Sequence, residues 1–306
     1  MSGALLVENK LHHEYWRKKS GETTIAYSTA SGYAAPPAGF SFANALDDNA
    51  GTSFMISSFS EQVIAEMAFP VGVTVNGFCF YGHNLTSNQG IKITYSTATT
   101  GTTNFVDFKG TPYTSNVYKP TDNFYKPFGA VFANPISAIR RLRIETVAWG
   151  VESYMQIMSS GMWLTDNIDI SLPFVPPTFS PQEASIKRNN NGNHLISDVR
   201  KVPQKLQINL NHFSEADLYL GSDDAQTTII NGLSATYPYA EYLGYFLSRH
   251  PFFFMYNKGA STDANSKQIF DQEKIYFCTV DKTLSQPKYS SPTLLSWTIK
   301  ALGYME

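Results

Sequence analysis

The chain has 306 residues, with 23 Lys and Arg against 25 Asp and Glu, for a net charge of −2. Charged residues are only 16% of the total and hydrophobic ones 42%. This balance excludes a basic nucleic-acid footprint, and the length implies two domains at ~100–200 residues each.

The charged share is below the ~25% of an average soluble chain. Ser, Thr, Asn and Tyr must therefore cover much of the surface, which suits protein packing or sugar contact. Aromatics reach 14%, with 18 Tyr and 21 Phe, which favours β structure and large interfaces. Cys79 and Cys278 each sit inside an apolar run, FCFYG and YFCTV. They read as buried free thiols in separate domains, as in a reducing cytoplasm. MSGALLVENK has no apolar core of signal length, and no run of ~18 apolar residues occurs. The expectation is a soluble chain with no signal peptide and no membrane insertion.

Residues 1–40 read as a lead-in segment. Leu11 to Lys19 suggests one turn of helix. His12 and His13 lack a third ligand at suitable spacing, so they read as exposed histidines beside Trp16. Residues 41–166 alternate as an antiparallel β-sandwich should. A polar loop, Asn44 to Thr52, precedes two separate strands, Val63–Phe69 and Val73–Tyr81. The corner Gly82-His83-Asn84 follows, then a strand Gly90–Ser96. Asn104–Lys109, Phe128–Phe132, Ile139–Val147 and Met155–Leu164 read as further strands, with a long irregular loop from Thr111 to Lys126.

Residues 167–181 hold Pro173, Pro176, Pro177 and Pro181 and read as a stiff linker. In residues 182–306, strands Glu183–Arg188 and His194–Val202 flank an Asn-rich turn, and Leu206–Leu210 alternates cleanly. Ser214 to Asp217 starts a short helix. The spacing of Tyr239, Tyr242, Leu243, Phe246 and Leu247 predicts a helix over 237–250. Phe252–Tyr256, Ile275–Val280 and Leu294–Leu302 read as strands. The fold class is thus mainly all-β: two β-sandwich domains, the second with one or two short helices.

The order of Ala45 to Thr52, the strand into Gly82-His83-Asn84, Gly90–Ser96 and Arg140–Ile144 resembles the discoidin, or galactose-binding-like, sandwich, over roughly residues 20–166. The resemblance implies a loop that can hold a structural calcium, with Asp47, Asp48, Asn49 and Thr52 as candidate oxygen ligands. The other reading of that loop is a plain Asx turn in which Asp47 bonds its own backbone. His83 and Asn84 are candidate sugar contacts at the rim, or else tie the corner to a neighbouring loop. Tyr113 and Tyr118, with Phe124 and Tyr125, offer a stacking platform or an interface to a neighbouring subunit.

The second half, through His250–Phe254, Tyr276–Cys278 and Trp297–Leu302, looks like tail proteins of long-tailed bacteriophages. In that family the ring-forming domain comes first; here it comes second. The resemblance implies a virion structural protein of a tail tip or baseplate, made in the host cytoplasm and carried in the tail. It would form a homo-oligomeric ring with other phage tail proteins as partners. The alternative is a carbohydrate-binding adhesin module for a host-surface glycan. No G-x-S-x-G, H-E-x-x-H or P-loop occurs, so no enzyme and no cofactor beyond calcium are expected. Tyr237, Tyr239, Tyr242 and Tyr245 cannot all face one core at ~100° per helical residue. Some are therefore expected at a subunit interface, with the second domain making the ring contacts.

Overall fold

The computed structural model describes residues 3–16, 24–27, 36–56, 64–101, 104–108, 117–120, 127–150, 152–164, 168–170, 182–188, 194–201, 204–214, 226–230, 233–237, 239–256 and 275–304. In chain order the elements are β1 (Gly3–Leu6), α1 (Lys10–Trp16), β2 (Thr24–Tyr27), a 3-10 turn (Phe42–Leu46), β3 (Phe54–Met55), β4 (Ile64–His83), β5 (Gly90–Ser96), β6 (Val106–Asp107), β7 (Val117–Tyr118), β8 (Phe128–Val147), β9 (Tyr154–Gly161) and β10 (Trp163–Leu164). There follow β11 (Ile168–Ile170), β12 (Gln182–Arg188), β13 (His194–Lys201), β14 (Gln204–Ser214), β15 (Gln226–Ile230), β16 (Leu233–Tyr237), α2 (Tyr239–Arg249), β17 (Phe252–Tyr256), β18 (Ile275–Val280), β19 (Lys288–Tyr289) and β20 (Leu294–Tyr304).

The architecture is mainly β, in two sandwich-like halves. The first sheet runs β3-β9-β4-β8-β5-β6, with β2 on β4 and β7 on β5. Its spine is the antiparallel pair β4 and β8. The sequence reading split each of these into two strands; each is one continuous, bent strand. The split fell at Pro70 and Pro135, where the register shifts between Ala68 and Gly77. Proline cannot donate to the ladder, so it sits at bulges, and bulges curl a strand without ending it. Gly72 lies so near the Ala138 backbone that a Cβ would stand 2.9 Å from its Cα.

The second sheet runs β10-β1-β17-β18-β20-β14-β11, with β19 on β20. It recruits residues from outside the second half. Gly3–Leu6, expected in a lead-in segment, is an interior strand between β17 and β10. Trp163–Leu164, read as the end of the last first-domain strand, pairs with β1. Ile168–Ile170, expected in the linker, pairs with β14. β12–β13 forms the expected hairpin, and β15–β16 forms one the sequence did not suggest. The short helix expected from Ser214 falls mostly on residues outside the described ones.

Three hydrophobic clusters explain why these segments come together. The first fills the first half, with Phe42, Phe54, Phe78, Phe80, Phe108, Phe128 and Trp149. The second lies between the second sheet and α2, with Leu5, Val7, Tyr242, Phe246, Phe252 and Phe254. The third is a seam between the sheets: Ala4, Leu6, Trp163, Phe253, Met255 and Ile275 meet Cys79, Tyr81, Val131 and Ile157. In a strand, successive side chains point to opposite faces. Phe78 and Phe80 therefore enter the first core while Cys79 and Tyr81 face the seam. Likewise Phe252 and Phe254 face α2, while Phe253 and Met255 face the seam. Both runs are continuously apolar because both of their faces are covered.

Cys79 lies in the seam and Cys278 in the second core, each buried and free. Burial pushes both thiols well above their ordinary range, which disfavours the nucleophilic thiolate. Among the described residues, no helix is long and apolar enough to cross a membrane.

Candidate functional site

Two polar knots organise the molecule, one at the outer rim of the first half and one at the seam. The rim joins loop 84–90, after β4, to loop 147–153, before β9. The Asn84 amide donates to the Glu152 carbonyl at 2.9 Å, and its oxygen accepts from the Tyr154 N–H at 2.7 Å. Gln89 donates to Ser153 Oγ at 3.0 Å, and Ser153 Oγ accepts from the Gly150 N–H. The buried Trp149 indole donates to the Gly90 carbonyl at 2.7 Å. Two non-glycine residues here, Ala148 and Glu152, hold left-handed backbones with φ of 55° and 63°. Such conformations persist only when surrounding contacts over-determine them. Asn88, Ala148 and Glu152 are the exposed positions on this rigid edge.

The expected sugar contacts sit differently from that rim surface. His83 is 3% exposed; its Nδ1 accepts from the Leu85 N–H, and its ring packs edge-on against Phe128. Asn84 has its amide committed to the loop-to-loop bonds. Tyr118 is 7% exposed and donates to the Phe108 carbonyl at 2.6 Å among the core aromatics. His83 and Tyr118 therefore build the scaffold under the rim and present no open face, while the half-buried Asn84 cross-ties the two loops. The reason is topological: β4 and β7 turn His83 and Tyr118 inward. Tyr113 lies outside the described residues.

The candidate calcium loop is an Asx turn. Asp47 accepts from the Asn49 N–H and from Thr52 Oγ1, at 2.9 and 2.7 Å. Asn49 Oδ1 accepts from the Gly51 N–H. Asp48, with a left-handed backbone at φ 53°, turns its carboxylate away from the loop and toward Asn9. Asp47, Asp48, Asn49 and Thr52 thus do not converge on one point. Among the described residues, no group of three or more His, Cys, Asp or Glu side chains is placed to hold a metal.

The sequence reading did not anticipate the seam knot. Asn9 caps α1: its side-chain oxygen accepts from the Leu11 N–H at 3.2 Å, and its carbonyl accepts from the His13 N–H. The same oxygen accepts from the Ser160 N–H, while the amide donates to Asp48 Oδ1 at 2.7 Å and to the Met158 carbonyl at 3.4 Å. His12 donates through Nδ1 to the Leu46 carbonyl at 2.8 Å, with Asp48 Oδ2 at 3.8 Å. Glu8, 2% exposed, meets His13 Nδ1 at 2.7 Å and Lys10 Nζ at 2.8 Å. From the other side come Phe246 of α2, edge-on to His13, and His250 just past the end of α2, edge-on to His12. His13 is 3% exposed, so the reading of two solvent-facing histidines is corrected. Both rings are held where the lead-in segment wedges between the two halves.

The two seam carboxylates behave oppositely. Burial alone would raise Glu8, but the Lys10 ammonium and the His13 contact pull it down to about 2. Burial raises Asp48 to about 6, against the smaller lowering pull of His12 and Asn9.

The described helix tyrosines belong to the second core. Tyr242 is buried in the second core. Tyr245 packs against the same core, with the Arg249 guanidinium over its ring at 4.3 Å. The additional surface that α2 meets includes the chain's own N-terminal segment. Side chains of Tyr237 and Tyr239 lie outside the described residues.

No family model matches the sequence, and no curated protein matches it. Solved structures are similar to part of the chain. The chain is similar to the family 32 carbohydrate-binding module of C. perfringens NanJ solved with galactose (13% identity, TM-score 0.33, 47% of this chain and 94% of that one). It is also similar to chitosan-binding module 2 from Paenibacillus sp. IK-5 in complex with chitotriose (15%, 0.34, 46% and 96%). A third is an F5/8 type C domain from Bacteroides fragilis (14%, 0.34, 48% and 95%). The chain spans only 26% of a Ruminococcus gnavus GH29 fucosidase (10%, 0.33, 47% of this chain).

Proposed function

We propose that this chain is a non-catalytic glycan-binding protein whose contact surface is the rim built by loops 84–90 and 147–153. The observation that carries the reading is the locked rim. Two loops, one of them with left-handed Ala148 and Glu152, are cross-tied by Asn84, Gln89, Trp149 and Ser153, and they present Asn88 and Glu152 outward. Rigid loops on a β scaffold are where binding surfaces are found, and preorganisation reduces the entropic cost of holding a polar ligand. An amide and a carboxylate suit sugar hydroxyls, which both donate and accept.

The tail-tip and ring reading has no structural observation of its own. Of the α2 tyrosines offered for it, Tyr242 is buried in the second core of the same chain and Tyr245 packs against that core.

A glycan array followed by titration calorimetry tests the proposal. Millimolar or tighter binding of a sugar, lost in Glu152→Ala and weakened in Asn88→Ala with an unchanged melt, is expected. Absence of binding across the array at millimolar sugar, or binding that both variants leave intact, overturns it.

A further inference from the structure

Residues 3–13 belong to both halves at once. Their first four residues are an interior strand of the second sheet, with Leu6 paired to Phe253 on one side and Trp163 on the other. Side chains alternate, so Ala4 and Leu6 fill the seam while Leu5 and Val7 fill the second core. Two residues further on, Asn9 spends both amide hydrogens and its carbonyl oxygen on Asp48, Met158, Ser160 and Leu11. Three of those four partners lie outside its own helix, on β9 and the loop after the 3-10 turn.

The fit against β9 is close. A Cβ at Gly161 would collide with the Glu8 carbonyl and stand 2.8 Å from Leu6 Cδ1. Beyond Asn9, His13 joins Glu8 and touches Phe246 of α2, whose ring belongs to the second core. No described part of the segment can shift without disturbing one half or the other.

We propose that residues 3–13 are a coupling strap, with Asn9 as the positioning residue that ties order in the 46–48 loop of the first half to order along β17 of the second. A ligand or partner that stiffens one half then stiffens the other. This inference is independent of the glycan reading. The physical warrant is one continuous segment whose strand end and polar end are each fully engaged, so that neither opens alone.

Native-state hydrogen exchange with mass spectrometry on the full chain, at rising sub-denaturing guanidinium, tests it. In the unsubstituted protein, peptides covering 3–13 and 252–255 should open together, at the same denaturant concentration and with the same slope. In Asn9→Ala, exchange at 3–6 and 252–255 should quicken by about tenfold, the scale of a lost buried hydrogen-bond set, while 84–90 stays unchanged. Gly161→Ala, which pushes on the strap from β9, should give the same spread. The proposal is overturned if 3–13 opens separately from 252–255 in the unsubstituted chain. It also fails if the Asn9→Ala effect stops at 8–13, 46–48 and 158–160. Should either variant not fold, the unsubstituted-chain measurement decides alone.

Discussion

The outer rim and the inner seam are both knots of polar side chains, yet they are built from different chemistry. At the rim, neutral amides, an indole and a hydroxyl bond mostly to backbone, and the outward positions stay exposed. At the seam, two carboxylates, three imidazoles and an ammonium gather in or beside a largely buried site. Neutral side-chain-to-backbone bonds rigidify a loop and are indifferent to pH. Buried ionisable groups hold segments together only while their protonation suits the site. The rim is thus suited to holding a shape, and the seam to holding two halves together.

The largest expected effect breaks the seam outright. Removing residues 1–9 takes away Leu5, Leu6 and Val7, each buried at 0–1% exposure, at roughly 1.5–3 kcal/mol per side chain. It also strips β17 of one of its two partner strands, leaving only β18. Set against a typical stability of ~5–15 kcal/mol, the expected outcome is loss of the folded second sheet, read as a collapse of soluble yield or of the cooperative melt. An unchanged melt would show that β1 is an accessory strand. For the same reason, a fragment lacking residues 1–165 would lose both β1 and β10, so it cannot serve as an isolated second domain.

The next effect separates the two seam carboxylates by pH. Asp48 has a folded-state value of about 6, above its ordinary 3.8. Its contribution to stability is therefore fully present below the ordinary value and is lost as pH rises through about 6. Asp48→Asn should melt higher than the unsubstituted chain at pH 7.5, and the gap should close by pH 4.5. Glu8 has the opposite sign. Its value falls from 4.5 to about 2, so its contribution is present above 4.5 and is lost as pH drops toward 2. Glu8→Gln should be destabilised at pH 7 and converge with the unsubstituted chain in strong acid. Melts of the three proteins across pH 2–8 decide; parallel curves would mean that neither carboxylate is sensed by folding.

A smaller effect probes the rim. Trp149→Phe keeps most of the buried ring but removes the bond to the Gly90 carbonyl, at ~1–3 kcal/mol for the stranded acceptor. Exchange should quicken in 84–90 and 147–153 and not in 3–13. Spread into 3–13 would mean that the rim and seam are one cooperative unit. The smallest expected effect is at the exposed rim itself, where Asn88→Ala should change stability by no more than ~0.5 kcal/mol while weakening glycan binding.

Much of this molecule could be read from pattern. Alternation in Gly90–Ser96, Ile275–Val280 and Leu294–Leu302 matched strands, because one-sided burial writes a period of two into the sequence. Helical spacing from Tyr239 to Leu247 placed α2 within two residues at its start. The Asx turn at Asp47 was one of the two readings its loop allowed. The division of Val63–Tyr81 and of Phe128–Val147 into two strands each is corrected by the structure, since a bulge and a strand end look alike in one dimension. The four-residue apolar run Ala4–Val7 is the local signal for β1, but a run that short does not say which distant strands it joins.

The sequence by itself determined a mainly β chain, its local strand and helix propensities, two buried thiols and a polar, weakly charged surface. These depend on neighbours a few residues apart. Only the tertiary structure decided that residues 3–6 complete a sheet made chiefly of residues 204–304, and that FCFY and FFFM are apolar on both faces because they meet across one seam. It alone decided that Asp48 faces Asn9 instead of its own loop, and that His83 and Tyr118 point inward beneath the rim. Each of these rests on contacts between residues ~40 to 250 positions apart, and no local period records which distant surface will cover a strand's second face.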